Sequence, residues 1–188
     1  MISEEAQRRL VERVRDADDH EAFGELVGLH QGAVRQFLRR LSGSPSASAD
    51  DLAQETFWRA YRNLSSFRGE GRFRSWLFSI GYQCFVAAER RRRRRPTMPW
   101  TTATEAKEPA ATAGDAAAIE ATQTVQRLLA GLRREERAAI LLHYQHELSH
   151  DEVASSLGLP LGTVKSLIRR GKAKMKQMHQ APSAGRAR

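Results

Sequence analysis

SHDEVASSLGLPLGTVKSLIRRGKAKMKQ, residues 149–177, is the stretch on which the reading of this chain turns. Ser149 followed by Glu152 is a capping box, in which side chains satisfy the free backbone donors of a helix start, so a helix is expected from about His150. Val153, Ala154 and Leu157 fall on one face of that helix. Gly158 suits the left-handed residue that closes a helix, and Pro160 cannot continue one. A second helix is expected from Leu161 or Gly162, with Val164, Leu167 and Ile168 turned inward. Its outward face carries Lys165, Ser166, Arg169, Arg170, Lys172, Lys174 and Lys176, and no acid follows Leu161 to the end of the chain. A short helix, a tight glycine turn and a cationic second helix describe a DNA-binding helix-turn-helix. A solvated lysine-rich helix is the plain alternative, and the turn chemistry and one-sided charge argue against it.

The rest of the chain fits a polyanion partner. Its 188 residues carry a formal charge of +9, and 40% hydrophobic content leaves room for real cores. Residues 1–95 carry +5, residues 96–118 carry −2 and residues 119–188 carry +6, so two basic blocks flank a mildly acidic spacer. The single cysteine, Cys84, rules out an internal disulfide and fits a reducing cytoplasm. No apolar run of about 18 residues and no signal-peptide core is present, which argues against membrane insertion or secretion by that route.

Residues 3–41 read as two helices, one with Leu10, Val11 and Val14 inward. The second is capped by Asp18 or Asp19 and carries Phe23, Leu26, Val27, Val34, Phe37, Leu38 and Leu41 at helical intervals. Ser42–Ala49 is expected to be a loop, and Asp50 to open a third helix, DDLAQETFWRAYRNL, with acids in its first turn. Leu52, Phe57, Ala60, Tyr61 and Leu64 face inward there. Asp51, Gln54, Glu55 and Trp58 are left outside, an acidic and aromatic surface on a basic protein. Ser65–Ser75 is an arginine-bearing loop with two glycines, followed by Trp76, Leu77, Phe78, Ile80, Tyr82 and Phe85 on a helix that runs into six arginines, Arg90–Arg95. Aromatics beside arginines suit single-stranded bases, which stack on rings while guanidiniums hold their phosphates. Phe78 itself reads as core. Residues 96–118, with Pro96, Pro99 and Pro109, read as a flexible linker. Ile119, Val125, Leu128, Leu129 and Leu132 mark a further helix, and Ala138, Ile140, Leu141, Leu142 and Tyr144 another. Both would cover the apolar side of the helix-turn-helix, and the tail from 181 is expected to be disordered.

Taken in order, DDLAQETFWRAYRNLSSFRGEGRFRSWLFSIGYQ (50–83), the arginine run, the linker and LSHDEVASSLGLPLGTVKSLIRRGKAKM (148–175) resemble bacterial sigma factors of the extracytoplasmic-function (ECF) group of the sigma-70 family. The resemblance implies an all-α fold of two small helical domains, a sigma-2-like bundle over 1–95 and a sigma-4-like domain over 119–180. The linker over 96–118 and the tail over 181–188 separate and follow them. It implies that Asp51, Gln54, Glu55, Trp58 and Arg59 grip the β′ clamp helices of core RNA polymerase, with the β flap as a second contact. By the same resemblance Arg68, Arg72, Phe73, Arg74, Trp76, Tyr82, Gln83, Arg90 and Arg91 would melt and hold the −10 promoter element, including a flipped base. Thr163, Lys165, Ser166, Arg169, Arg170 and Lys172 would meet the −35 element, Lys165, Ser166 and the arginines in the major groove, with arginine reading guanine, and Thr163 with the C-terminal lysines touching phosphate. The implied function is promoter-specific initiation of transcription, with an anti-sigma factor as a further partner.

Departures from the family pattern stand out, among them Leu167 where arginine is frequent in recognition helices. GYQCFVAAE replaces a more usual Ala-Arg-Asn-type sequence in the −10 helix. Gly171 stands where alanine is frequent, and at about 1 kcal/mol of lost helix propensity it predicts early fraying of the recognition helix. His143, His146 and His150 are not expected to share one face, so no metal site is expected, and Cys84 reads as core. Glu89 shows no partner in the sequence. No phosphate loop, dinucleotide fingerprint or nucleophile–base pair is visible, so neither catalytic residues, a cofactor nor a small-molecule substrate is expected. The rival readings are a stand-alone helix-turn-helix regulator, which leaves the Glu55–Trp58 face unexplained, and an anionic-membrane or RNA-binding protein using the arginine run.

Overall fold

Local capping chemistry sets the start of the chain's first two helices. The computed structural model describes residues 3–43, 46–67, 69, 72–94 and 116–180, with backbone alone for 46–47 and 116–119. The Oγ of Ser3 accepts from the Ala6 N–H at 3.1 Å and starts α1, Glu4–Ala17. Glu4 and Glu5 then sit where the helix dipole favours negative charge. Asp18 takes a left-handed conformation (φ 50°) and ends α1, while Asp19 caps α2, His20–Ser42, by accepting from the Ala22 N–H at 3.0 Å. Asp19 is therefore the capping residue of the pair. Gly43 (φ 61°) closes α2 and returns its N–H to the Arg39 carbonyl.

The third helix, α3, spans Ser46–Arg62, so it begins before the Asp50 that the sequence suggests as its start. Packing explains the difference. Ala49 and Ala53 are buried against the core, and the Asp50 carboxylate faces Arg39 (3.4 Å) and Arg35 (3.7 Å) of α2 instead of capping. A 3₁₀ turn, Leu64–Ser66, leads to α4, Phe73–Arg94, which carries the arginines 90–94 as its exposed last turn. Arg95 and most of the expected linker, 96–115, lie outside the described residues, as do Arg68 and the tail. The next helix, α5, spans Ala116–Ala130, starting slightly ahead of Ile119. Helix α6, Arg134–Ile140, continues into a π-helical turn, Leu141–Gln145. Helices α7, His150–Leu157, and α8, Leu161–Gln180, form the helix-turn-helix.

Among the described residues the fold is all-α, with α1–α4 and α5–α8 as two groups of helices. They are not held apart. Helix α4 lies against α2 and α3 on one side and α7 on the other, so one core runs through both groups. Phe37, Leu38, Leu77 and Phe78 fill its centre, each such burial contributing about 1.5–3 kcal/mol. Cys84 belongs to this core, and burial pushes its thiol pKa up.

The two groups are joined by polar contacts at their seam. Arg137 donates to the Leu41 carbonyl at 2.8 Å, and also to the carbonyls of Leu129 and Ala130 at the end of α5 and of Leu132 in the turn after it. Arg40 donates to Gln145 Oε1 at 2.8 Å, and the Ser156 hydroxyl donates to the Ser75 carbonyl at 3.0 Å.

Candidate nucleic-acid interface

The recognition helix is positioned by its neighbours in sequence. Ser149 Oγ accepts from the Glu152 N–H at 3.2 Å, and the Glu152 carboxylate accepts from the Ser149 N–H at 2.8 Å, completing the capping box. Gly158 (φ 65°) makes the left-handed close of α7. Val164, Leu167 and Ile168 are buried, which leaves Thr163, Lys165, Arg169, Arg170 and Lys172 exposed and Ser166 half-buried. Lys172 Nζ lies 5.9 Å from the Tyr144 ring, a residue the structure turns outward rather than into the core. Lys174 leaves the outward face and pairs with the buried carboxylate of Glu136 at 2.7 Å. Burial pushes that carboxyl up, and the Lys174 ammonium with the Arg133 N–H outweighs it, so its pKa lies below the usual value. Gly171 does not fray α8. It is buried where a Cβ would come 3.0 Å from Ile140 Cγ1, so the missing side chain lets α8 approach α6, and the helix continues to Gln180.

On α3 the expected acidic and aromatic face is a single exposed surface. Trp58 is 54% exposed, with the Arg62 guanidinium 4.7 Å from its ring centroid. Glu55 and Arg59 pair at 2.7 Å beside it, and Asp51 and Gln54 are exposed.

The residues expected at the −10 element divide into two sets. Arg72, Gln83, Arg90 and Arg91 are exposed. Arg72 faces Glu4 (3.0 Å) and Glu152 (3.6 Å), and Arg92, next to Arg91, pairs with Glu89 at 3.2 Å, so Glu89 has a partner after all. Phe73 is only 3% exposed, held between Phe67, Trp76 and His30, so its ring is packing rather than an open stacking surface. Trp76, half-buried, leans on Phe67 and Phe73. Tyr82 is 8% exposed, beside Arg134 and Glu135 of α6, and its phenol pKa is raised, first by burial. Arg74 is half-buried at the seam between the groups, 3.2 Å from His146 Nδ1.

Two features here, a cleft and a buried histidine, go beyond the sequence reading. A cleft of about 610 Å³ beside the loop is lined by Arg8, Leu29, His30, Phe67, Arg72 and Arg74 among others. His30 stands at an apolar position of the α2 stripe, four residues from both Leu26 and Val34, which is a legible sign of a buried histidine. It donates to Gln7 Oε1 at 2.8 Å, and burial with Arg74 lowers its pKa to about 4. The three histidines near α7 part company: His143 stacks on His150 at 4.6 Å, while His146 is buried against Phe37 and Phe78. No cluster of three potential metal ligands occurs among the described residues.

Comparison with known proteins matches the same segments. The profile for Sigma-70 region 2 matches residues 26–95, and that for Sigma-70, region 4, matches residues 122–175. The chain is 30% identical over 170 residues to the ECF RNA polymerase sigma factor SigW of Bacillus subtilis (strain 168), covering 85% of this chain and 89% of that protein. It is 34% identical over 172 residues to the ECF RNA polymerase sigma-E factor of Escherichia coli (strain K12), covering 87% and 88% respectively. Among solved structures, CnrH in complex with the cytosolic domain of CnrY superposes with a TM-score of 0.71 at 30% identity, over 95% of this chain and 99% of that one. The sigma factor RpoE of Bartonella quintana, solved with the anti-sigma factor NepR, gives 0.69 at 26% identity, over 85% and 98%.

Proposed function

The chain belongs to the ECF group of the sigma-70 family, and from that premise we propose which of its surfaces performs each part of a sigma factor's work. It binds core RNA polymerase and directs promoter-specific initiation. Residues 1–95 act as the polymerase-binding and −10 domain, 96–118 as the connection, and 119–180 as the −35 domain. The observation that carries the reading is the acid-free cationic face of α8, presented by a complete helix-turn-helix.

On that face Lys165, Ser166, Arg169 and Arg170 enter the major groove, the arginines reading bases, while Thr163 and Lys172 hold backbone phosphates. The exposed α3 surface of Asp51, Gln54, Glu55, Trp58 and Arg59 meets the β′ clamp helices. Its acids make it a poor partner for DNA and a good one for a protein. Arg68, Arg72, Arg74, Trp76 and Gln83 engage the opened −10 strand, with Phe73 supporting Trp76 from behind. Arg90 and Arg91 hold duplex phosphates. Tyr82 joins this surface when the two helical groups separate. The chain supplies no bond-making chemistry of its own, which belongs to the polymerase, and an anti-sigma factor like those bound to its structural neighbours is a further partner. No helix among the described residues is long and apolar enough to cross a membrane.

Run-off transcription with core polymerase and promoter fragments tests the assignment. The protein is expected to produce discrete start sites, and Arg169→Ala with Arg170→Ala to abolish dependence on the −35 element. Intact DNA binding with no stimulated transcription would instead support a stand-alone regulator. Equal activity of the double variant on scrambled and intact −35 elements would remove these two arginines from recognition.

A further inference from the structure

His146 sits where the two helical groups meet, and its surroundings come from both. Its ring packs 4.5 Å from that of Phe78 on α4 and 5.9 Å from that of Phe37 on α2. It is 2% exposed. Nδ1 faces the Arg74 guanidinium at 3.2 Å, and since arginine can only donate, Nδ1 accepts and the ring proton lies on Nε2. Nε2 is buried without a hydrogen-bond partner among the described residues. A second proton, on Nδ1, would point straight at Arg74 and cost that bond.

We propose that His146 is a proton-sensitive latch: the closed contact between α4 and the 141–157 segment accepts only the neutral imidazole, and protonation releases it. The latch acts on the seam itself and holds whichever residues touch DNA.

The charges facing the ring support the sign. From α4 comes Arg74 and from α2 comes Arg40, which donates to Gln145 next door; both are cations. On its own segment Glu147 is exposed and acts on Arg74, and His143 donates to the Leu148 carbonyl. From α7, Glu152 faces Arg72 rather than the ring, and His150 stacks on His143. Among the described residues no acid pairs with the ring itself. Burial, then Arg74 and Arg40, lower the His146 pKa to about 4 from an ordinary 6.5. A ring freed into water regains the ordinary value. Closure is therefore fully favoured above about pH 6.5 and weakens as pH falls from there toward 4.

The full chain tests this by single-molecule energy transfer between dyes on Ser65→Cys and Gln177→Cys. Both sites are exposed, and Cys84 is buried away from labelling. The closed-to-open ratio is expected to fall about tenfold from pH 7.5 to pH 5.5, with unchanged helical content by circular dichroism. His146→Phe keeps a ring between Phe37 and Phe78 but cannot titrate, and His146→Gln provides a neutral polar substitute. Either, if folded, should hold the ratio constant over that range. A flat response in the unsubstituted chain overturns the latch. So does a pH response that survives both substitutions, or one that vanishes with His30→Gln instead.

Discussion

Arg137 illustrates how much a single side chain can settle. Its guanidinium donates to the carbonyls of Leu129 and Ala130 at the C-terminus of α5 and of Leu132 just beyond it, and reaches across to Leu41 at the end of α2. Lysine cannot imitate that fork, because its donors radiate from one point. Arg137→Ala is expected to lower stability by about 2 kcal/mol in urea denaturation, with Arg137→Lys recovering little of it, since several carbonyls lose a charged donor at once. An unchanged midpoint would mean that water replaces the side chain. Nothing in the sequence singled this arginine out among so many, because its bond across the seam goes to Leu41, far away in the chain. Gly171 was misleading for a related reason. Helix propensity counts its missing side chain as a defect, whereas Ile140, thirty-one residues earlier, makes it a requirement.

At the scale of elements, the boundaries set by adjacent residues were legible and those set by packing were not. The Ser149–Glu152 box, the left-handed Gly158 and the inward stripe of α8 follow from chemistry within a few positions, and the structure places them as the sequence implies. The start of α3 depends on where Ala49 lands in the core, which no local rule states. Helix α2 holds a further oddity: Gly24, Gly28 and Gly32 line one exposed side, and a Cβ at any of them would meet nothing within 4 Å. Replacing all three with alanine is expected to stabilise the isolated protein by roughly 2 kcal/mol, from helix propensity alone. Urea denaturation measures this directly, and a loss of stability would reveal a close neighbour on that side.

For the whole molecule, the family and the two helical groups could be read from sequence, but their mutual contact could not, because Arg40, Arg74 and His146 carry no pattern that names the opposite group. The α3 surface lies outside that contact, so its substitutions separate binding from folding. Glu55→Arg combined with Trp58→Ala is expected to weaken core polymerase binding by at least tenfold, the scale of losing an aromatic anchor, with the denaturation midpoint nearly unchanged. A competition assay against unsubstituted protein measures it, and equal affinity would place the clamp contact elsewhere. The seam on α4 also bears on how the protein is made. Residues 1–94 leave the ribosome first, and at about 5–20 residues per second the remaining half follows roughly 5–20 s later. Throughout that interval Arg74, Phe78 and Tyr82 have nothing from the C-terminal helices to cover them. A nascent chain thus presents this side of α4 to solvent before the segment that covers it exists, and that stretch of apolar surface must wait for its cover.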